Sequence, residues 1–352
     1  MGDLLVALTF FITYTLTMKA IIFEKFGINN LKLADIAQPV AGPGEVLVRV
    51  KAAALQYLDQ QVVEGKIDLK LKLPHIPVSE GAGIIEHVGD SVKQWKKDDR
   101  VLIPFIQKWE AGKITTETNS IRTGLQTPGV LSEYIVVPAH TLVRSPHNLT
   151  DEEASTLAVV GLTAWSNLVS HAELCAGQTV LVQGSGGVSL FALQIAKLFG
   201  AKVIATTSSD DKAKKLKALG ADEVINYKKH PEWSKEVRRL NNEQGVDITL
   251  DVGGQSTINQ SILSCRENAY IGLVGFMTGS EITVQLPSVI MNYIRLQGNS
   301  VGNATELAQL VKAIEINNLK PVIDRIYPIE KAQEAFNLLK SGEAFGKIVI
   351  SI

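Results

Sequence analysis

The stretch VLVQGSGGVSLFALQIAKLFGAKVIATT, Val180 to Thr207, carries the decisive pattern of the chain. A short apolar run ends in Gly184, Gly186 and Gly187, an apolar helical pattern follows, and a second apolar run closes the unit. Strand, glycine turn, helix and strand in that order read as a βαβ unit of a parallel sheet. A glycine turn opening a helix exposes backbone N–H groups at the positive end of the helix dipole, which suits a pyrophosphate. Gly184 permits the tight turn and Gly186 lets the backbone approach the phosphates. Val188 follows in the same turn, and Ser189, small enough for close helix packing, stands where the usual pattern has its third glycine.

The next turn refines the ligand. In many nucleotide sites an acidic residue at the end of the second strand takes hydrogen bonds from the ribose 2′-OH. Here Thr206, Thr207, Ser208 and Ser209 occupy that turn, and the first acids, Asp210 and Asp211, come just before Lys212. The hydroxyls of Ser208 and Ser209 with the ammonium of Lys212 offer donors and positive charge, where a carboxylate would repel a phosphate. This pattern predicts NADP(H) as cofactor. The alternative, a serine helix cap beside a solvated lysine, is compatible with it.

Around this unit the chain has 352 residues, 45% of them hydrophobic and 20% charged, with a formal charge of −1. That length suits two domains, and the near-neutral charge argues against nucleic acid or a membrane surface as partner. Cys175 and Cys265 are too few and too far apart for a disulfide framework or a thiolate cluster, as expected of a cytoplasmic protein. Residues 1–17, MGDLLVALTFFITYTLT, form an apolar extension too short for a full bilayer span, and MKAIIFEKFG from Met18 reads as the start of the globular part.

Residues 18–148 hold strand signals punctuated by Gly and Pro, such as EVLVRVKAAAL and GAGIIEHVG, and read as mostly β. Gln107 to Val130 is polar and irregular, a surface loop or lid. From Leu149 the texture alternates. Thr150 and Glu153 have capping-box spacing, and DEVINY, VDITLDVGG and AYIGLVGF are strands between helical patterns. The fold class expected is α/β, a Rossmann doubly wound parallel sheet over 149–325 plus a mostly β domain over 18–148, completed by the chain's end at 326–352.

The motifs PHIPVSEGAGIIEHVGDSV, GLTAW, VLVQGSGGVSLFALQIAK, LGADEVINY and FGKIVI resemble the medium-chain dehydrogenase/reductase superfamily from Met18 to Ile352. The resemblance implies a GroES-like β domain around a Rossmann domain. Many members carry zinc, and their ligand positions fall at Gln56, Ser79 and near Val159. None of the three can replace a thiolate or imidazole. The loop at 107–130 has no cysteine for a structural site, and His75 and His87 read as structural. The chain is therefore similar to the zinc-independent quinone oxidoreductase branch, which includes zeta-crystallin-like proteins. The reaction implied is hydride transfer from NADPH to a quinone, enone or alkenal. Metal-free alcohol or aldehyde oxidoreduction, or an NADPH-binding sensor or structural protein with little turnover, are the alternatives.

Carried over position by position, the resemblance implies cofactor contacts at Gly184, Gly186, Gly187, Val188, Ser208 and Lys212, with Tyr227 flanking the 2′-phosphate. It implies further that Thr163 lies near the nicotinamide ribose, Gly253 and Phe276 under the nicotinamide half, and Lys347 close to the cofactor. The acceptor side departs from the branch: Gln56 replaces an asparagine, while Gln61 and Val63 replace a tyrosine and an arginine. Gln56 and Tyr57 remain as candidates, the first to hydrogen-bond the acceptor oxygen and the second to donate a proton. Asp59 reads as a helix-start group. Phe105, Trp109 and Met291 are expected to line the pocket. The late segments SEITVQL and YIRLQGNSV resemble an edge that pairs across a two-fold axis in a homodimer.

Overall fold

The computed structural model of the chain describes residues 16–67 and 71–352. The apolar extension falls outside these residues except for its last two. Thr17 already pairs with Ala37, so the first strand starts one residue before Met18. Among the described residues no helix is long and apolar enough to cross a membrane.

The first half of the chain supplies β1 (Thr17–Ile22), β2 (Lys32–Ala37), β3 (Glu45–Leu55), β4 (Gly81–Val88), β5 (Arg100–Ile103), β6 (Tyr134–Pro138) and β7 (Val143–Arg144). The second half supplies β8 (Thr179–Gln183), β9 (Lys202–Thr207), β10 (Glu223–Asn226), β11 (Val246–Asp251), β12 (Cys265–Leu273) and β13 (Arg295–Gly298). Last come β14 (Ile323–Pro328) and β15 (Lys347–Ser351).

Strands β8 to β13 form one parallel sheet in the order β10-β9-β8-β11-β12-β13. This is the 3-2-1-4-5-6 order of a dinucleotide-binding fold, with the strand order reversing between β8 and β11. All five residues of β8 are buried, as a strand covered by helices on both faces requires. The helix Gly187–Leu198 packs Leu190, Leu193 and Ile195 inward, whereas the charged helix Asp210–Ala218 buries only Leu216. Among the described residues Ser280–Leu286, expected as a strand, forms no β-ladder, and Leu286 already opens a short helix. β13 is an edge strand, and the exposed Ile282, Leu286, Ile290 and Met291 lie near it in sequence.

The other large sheet runs β14-β15-β3-β4-β5-β7, with β6 also on β3. The C-terminal strands thus complete the N-terminal sheet, and β14 begins at Ile323, three residues before the stretch assigned to that role. The irregular loop after β5 is tied to the nucleotide-type domain. Carbonyls of Trp109 and Glu110 accept from the amides of Ala304 and Thr305, the first two residues of the helix Ala304–Asn317. Phe105 and Trp109 line the crevice between the two domains with Ala158, Leu162 and Val301. Met291, expected beside them, is 73% exposed and lies apart from this crevice.

The Thr150 capping box forms, with Thr150 Oγ1 accepting from Glu153 N. The helical run that follows is interrupted by π-helical turns at Leu157–Gly161 and Ser166–His171. Widening of the first turn leaves the amides of Val159 and Val160 free of that helix, and both donate to Glu80 Oε1, at 2.6 and 3.0 Å. Glu80 Oε2 accepts from Lys347 Nζ at 2.9 Å, and the same ammonium donates to Leu55 O at 2.6 Å. Glu80 and Lys347 are both buried, so this pair binds β15, the end of β3, the start of β4 and the helical layer into one knot. Lys347→Met strands a buried carboxylate, and the expected cost is about 3–5 kcal/mol. Adding Glu80→Gln removes that charge and should return part of the loss. Urea unfolding of the two variants checks both, and equal stability of Lys347→Met and wild type contradicts the knot.

Candidate active site

The glycine turn lies at the C-terminal end of β8, beside the point where strand order reverses. Gly184 has φ +77°, a left-handed conformation that favours glycine. A side chain at Gly184 or Gly186 would meet no protein atom within 4 Å, so both positions border open space that a ligand can fill. Gly187 differs. A Cβ there would come 2.6 Å from Lys347 Cδ, so its small size serves packing over the lysine stem. Ser189, in the third glycine position, is buried and donates to Gln183 O at 2.6 Å. The first-turn amides at Gly187 and Val188 have no acceptor within their own helix, the requirement for an anion site at a helix start. These features fit the pyrophosphate of a dinucleotide.

At the end of β9, Ser209 caps the next helix by accepting from Lys212 N at 3.2 Å. The Ser208 hydroxyl has no partner among the described residues. Tyr227 donates its backbone N–H to Thr207 O and keeps an exposed ring, 39% accessible, beside this turn. Lys212 was expected to present its ammonium here. Instead Nζ donates to Gly342 O and Ala344 O at 3.0 and 3.3 Å, and partial burial pushes its pKa down. It tethers the turn after the last helix, and Gly346 of that segment donates to Ser185 O in the glycine turn.

Gly253 and Gly254, expected under the nicotinamide half, follow β11 and donate to the buried Asp251 Oδ1. Asp251 also accepts from Thr257 and Ser261 hydroxyls, fixing the loop at the strand end. Thr163 is buried and donates to Ser300 O at 3.0 Å. Phe276 meets Tyr57 edge-on across the cleft, with ring centroids 5.9 Å apart. Two candidates drawn from the two halves of the chain, 219 positions apart, are therefore in contact. The Tyr57 hydroxyl has no partner among the described residues, so its proton is available.

Gln56 and Asp59 form a reciprocal cap on the helix Tyr57–Val63: Gln56 N donates to Asp59 Oδ2 at 3.0 Å. Asp59 Oδ1 accepts from Ser79 N at 3.1 Å and Ser79 Oγ at 2.7 Å. Gln56 Nε2 in turn donates to Ser79 Oγ at 2.5 Å. One of the two N–H groups on Gln56 Nε2 is thus held by Ser79. Gln61 and Val63 are buried in the same helix.

The three positions that the resemblance matches to zinc ligands hold an amide at Gln56, a hydroxyl at Ser79 and an aliphatic side chain at Val159. Ser79 Oγ is spent on Asp59 and Gln56, while Glu80, its neighbour, is spent on Lys347 and two amides. This donor set does not fit Zn²⁺, which takes thiolate and imidazole. His75 is half-committed elsewhere: its Nε2 lies 3.0 Å from Gly124 O, and burial pushes its pKa down. Sequence reasoning identified Lys347 but missed its partner Glu80. It also missed Asp251, whose signal was an acid at the end of a strand just before Gly253 and Gly254.

Full burial raises the Asp59 carboxyl to about 7, against the opposing pull of the Ser79 hydroxyl and the Gln56 amide. The raised value means the folded protein holds this proton up to about pH 7, while the unfolded chain releases it near pH 4. Stability relative to Asp59→Asn should fall as pH rises from about 4 to about 7 and stay level above that. Unfolding curves across this range read it, and parallel profiles for the two proteins contradict it.

Family comparisons agree with this architecture. The model for the alcohol dehydrogenase GroES-like domain matches residues 42–147, and that for zinc-binding dehydrogenase matches 187–315. A zinc-type alcohol dehydrogenase-like protein of Schizosaccharomyces pombe is 38% identical over 94% of this chain and 97% of its own length. Human quinone oxidoreductase is 30% identical over 95% and 97%. A crystal structure of an NAD-dependent alcohol dehydrogenase superposes with TM-score 0.88 at 35% identity, covering 95% of this chain and all of that one. The chain belongs to the medium-chain dehydrogenase/reductase superfamily and is an oxidoreductase of that family.

Proposed function

We propose that the protein transfers hydride from NADPH to a quinone or an α,β-unsaturated carbonyl without a metal ion. The observation that carries this reading is the hydrogen-bonded set Gln56–Ser79–Asp59 with Glu80–Lys347, which occupies the place of a zinc centre and leaves it no nitrogen or sulfur donor. Without a Lewis acid to polarise a simple alcohol, the easier acceptor is one that spreads incoming negative charge over its own π system. When bound, the nicotinamide ring supplies the hydride. Tyr57 donates its hydroxyl proton toward the acceptor oxygen, and Phe276 closes the cleft against it and limits water.

Selection of the phosphorylated coenzyme follows from the turn after β9. Thr207 and Ser208 stand where a carboxylate would favour the ribose diol, and Lys212 lies one helical turn away. Its ammonium must leave the carbonyls of Gly342 and Ala344 to reach a 2′-phosphate. An assay of NADPH and NADH oxidation against quinones, enones and alkenals should show turnover with NADPH at least about tenfold better in kcat/KM than with NADH. Ser208→Asp should reverse that order. Equal use of both coenzymes, or no turnover of any acceptor beside ready turnover of saturated alcohols, refutes the reading.

The free edge of β13 and the exposed Ile282, Leu286 and Ile290 support pairing of two copies about a two-fold axis. Analytical ultracentrifugation should give a dimer that Ile290→Glu weakens. A monomer at micromolar concentration is the contrary result.

A further inference from the structure

The first acid after the β9 turn is paired with a base from the end of the neighbouring strand. β10 lies beside β9 in a register that places Asn226 opposite Thr207, and Tyr227 N donates to Thr207 O. The chain then turns sharply, with Lys229 N and His230 N both donating to Asn226 O at 3.0 Å. This turn brings Lys229 back to the start of the helix Asp210–Ala218. Lys229 Nζ lies 2.6 Å from Asp210 Oδ2, and Asn226 Nδ2 donates to Asp210 Oδ1 at 2.8 Å. The Asn226 amide is fixed in this sense, because its Oδ1 accepts from Lys228 N at 3.1 Å. Lys229 and Asn226 together hold the Asp210 carboxyl below the usual carboxylate range, so it is ionised at neutral pH.

With side chains 62% and 58% exposed, Lys229 and Asp210 add little to stability, so the worth of the pair lies in the field it leaves at the turn. Asp210 follows Ser208 by two positions, and their Cα atoms are at most about 7 Å apart. That separation is comparable with the screening length of physiological salt, about 8 Å, so a phosphate held at Ser208 feels the charge on Asp210 wherever the carboxylate is aimed. An unpaired carboxylate there would repel it. We propose that Lys229 is a specificity-determining residue: by neutralising Asp210 it removes the nearest negative charge from the turn after β9 and so admits the 2′-phosphate of NADPH. This rests on the reading above that the 2′-phosphate sits at Ser208. Lys229 acts through the carboxylate it holds, in contrast to Lys212, whose ammonium would meet the phosphate itself.

The test is the Kd of NADPH and of NADH, measured by calorimetry on the whole protein at low salt. Lys229→Met should weaken NADPH roughly 2- to 10-fold and Asp210→Asn should tighten it by a similar factor, with NADH moved less than about twofold in either. The double variant restores neutrality and should return NADPH to within about twofold of wild type. Lys229→Arg, which keeps the charge at an exposed site, should match wild type. The changes should shrink in about 0.5 M NaCl, as an effect carried by charge must. A double variant as weak for NADPH as Lys229→Met means that the ammonium binds the phosphate itself, and overturns the neutralising role. A wild-type preference for NADPH that neither single variant moves overturns it too. Equal wild-type Kd values for the two coenzymes overturn the reading of the cofactor, and the proposal falls with it.

Discussion

The buried pair of Lys347 and Glu80 is the contact on which the site's layout depends. One carboxylate receives an ammonium from the last strand and two amides from a widened helical turn. The same lysine stem fills the space under Gly187, so the glycine turn after β8 and the network around Ser79 share a foundation. Two opposite charges out of water demand satisfied partners on every side, which makes the arrangement exacting in geometry. That demand aligns the N-terminal and C-terminal parts of one sheet with the nucleotide-type domain.

A second layer builds on this foundation. Ser79 precedes Glu80 in sequence, so holding Glu80 also places Ser79 beside Asp59 and Gln56. A zinc-type alcohol dehydrogenase-like relative is similar along nearly the whole chain, while here Gln56, Ser79 and Asp59 satisfy one another. A shared fold accommodates different side chains at such positions.

Much of the fold was legible in the chain. The βαβ pattern around Gly184 and the alternation after Leu149 gave the parallel sheet, because short apolar strands with helices between them have few other ways to bury both faces. The capping box at Thr150 was readable from spacing alone, whereas the π-helical turns after it were not, since they answer to Glu80 nearly eighty residues away. Strand character at Ser280–Leu286 was misread within the single chain, because apolar alternation does not reveal whether a partner strand exists. For the site, residue types located the glycine turn and the substituted metal positions. The direction of Gln56, the destination of the Lys212 ammonium and the pairing of Glu80 all depend on contacts between distant segments, which local patterns do not encode.

The most direct test of the metal-free account is elemental analysis of the purified protein paired with its turnover before and after exhaustive chelation. The account predicts substoichiometric zinc and other transition metals, with NADPH-driven reduction undiminished after chelation. One tightly held zinc per chain, with activity lost on its removal and regained on its return, would contradict it.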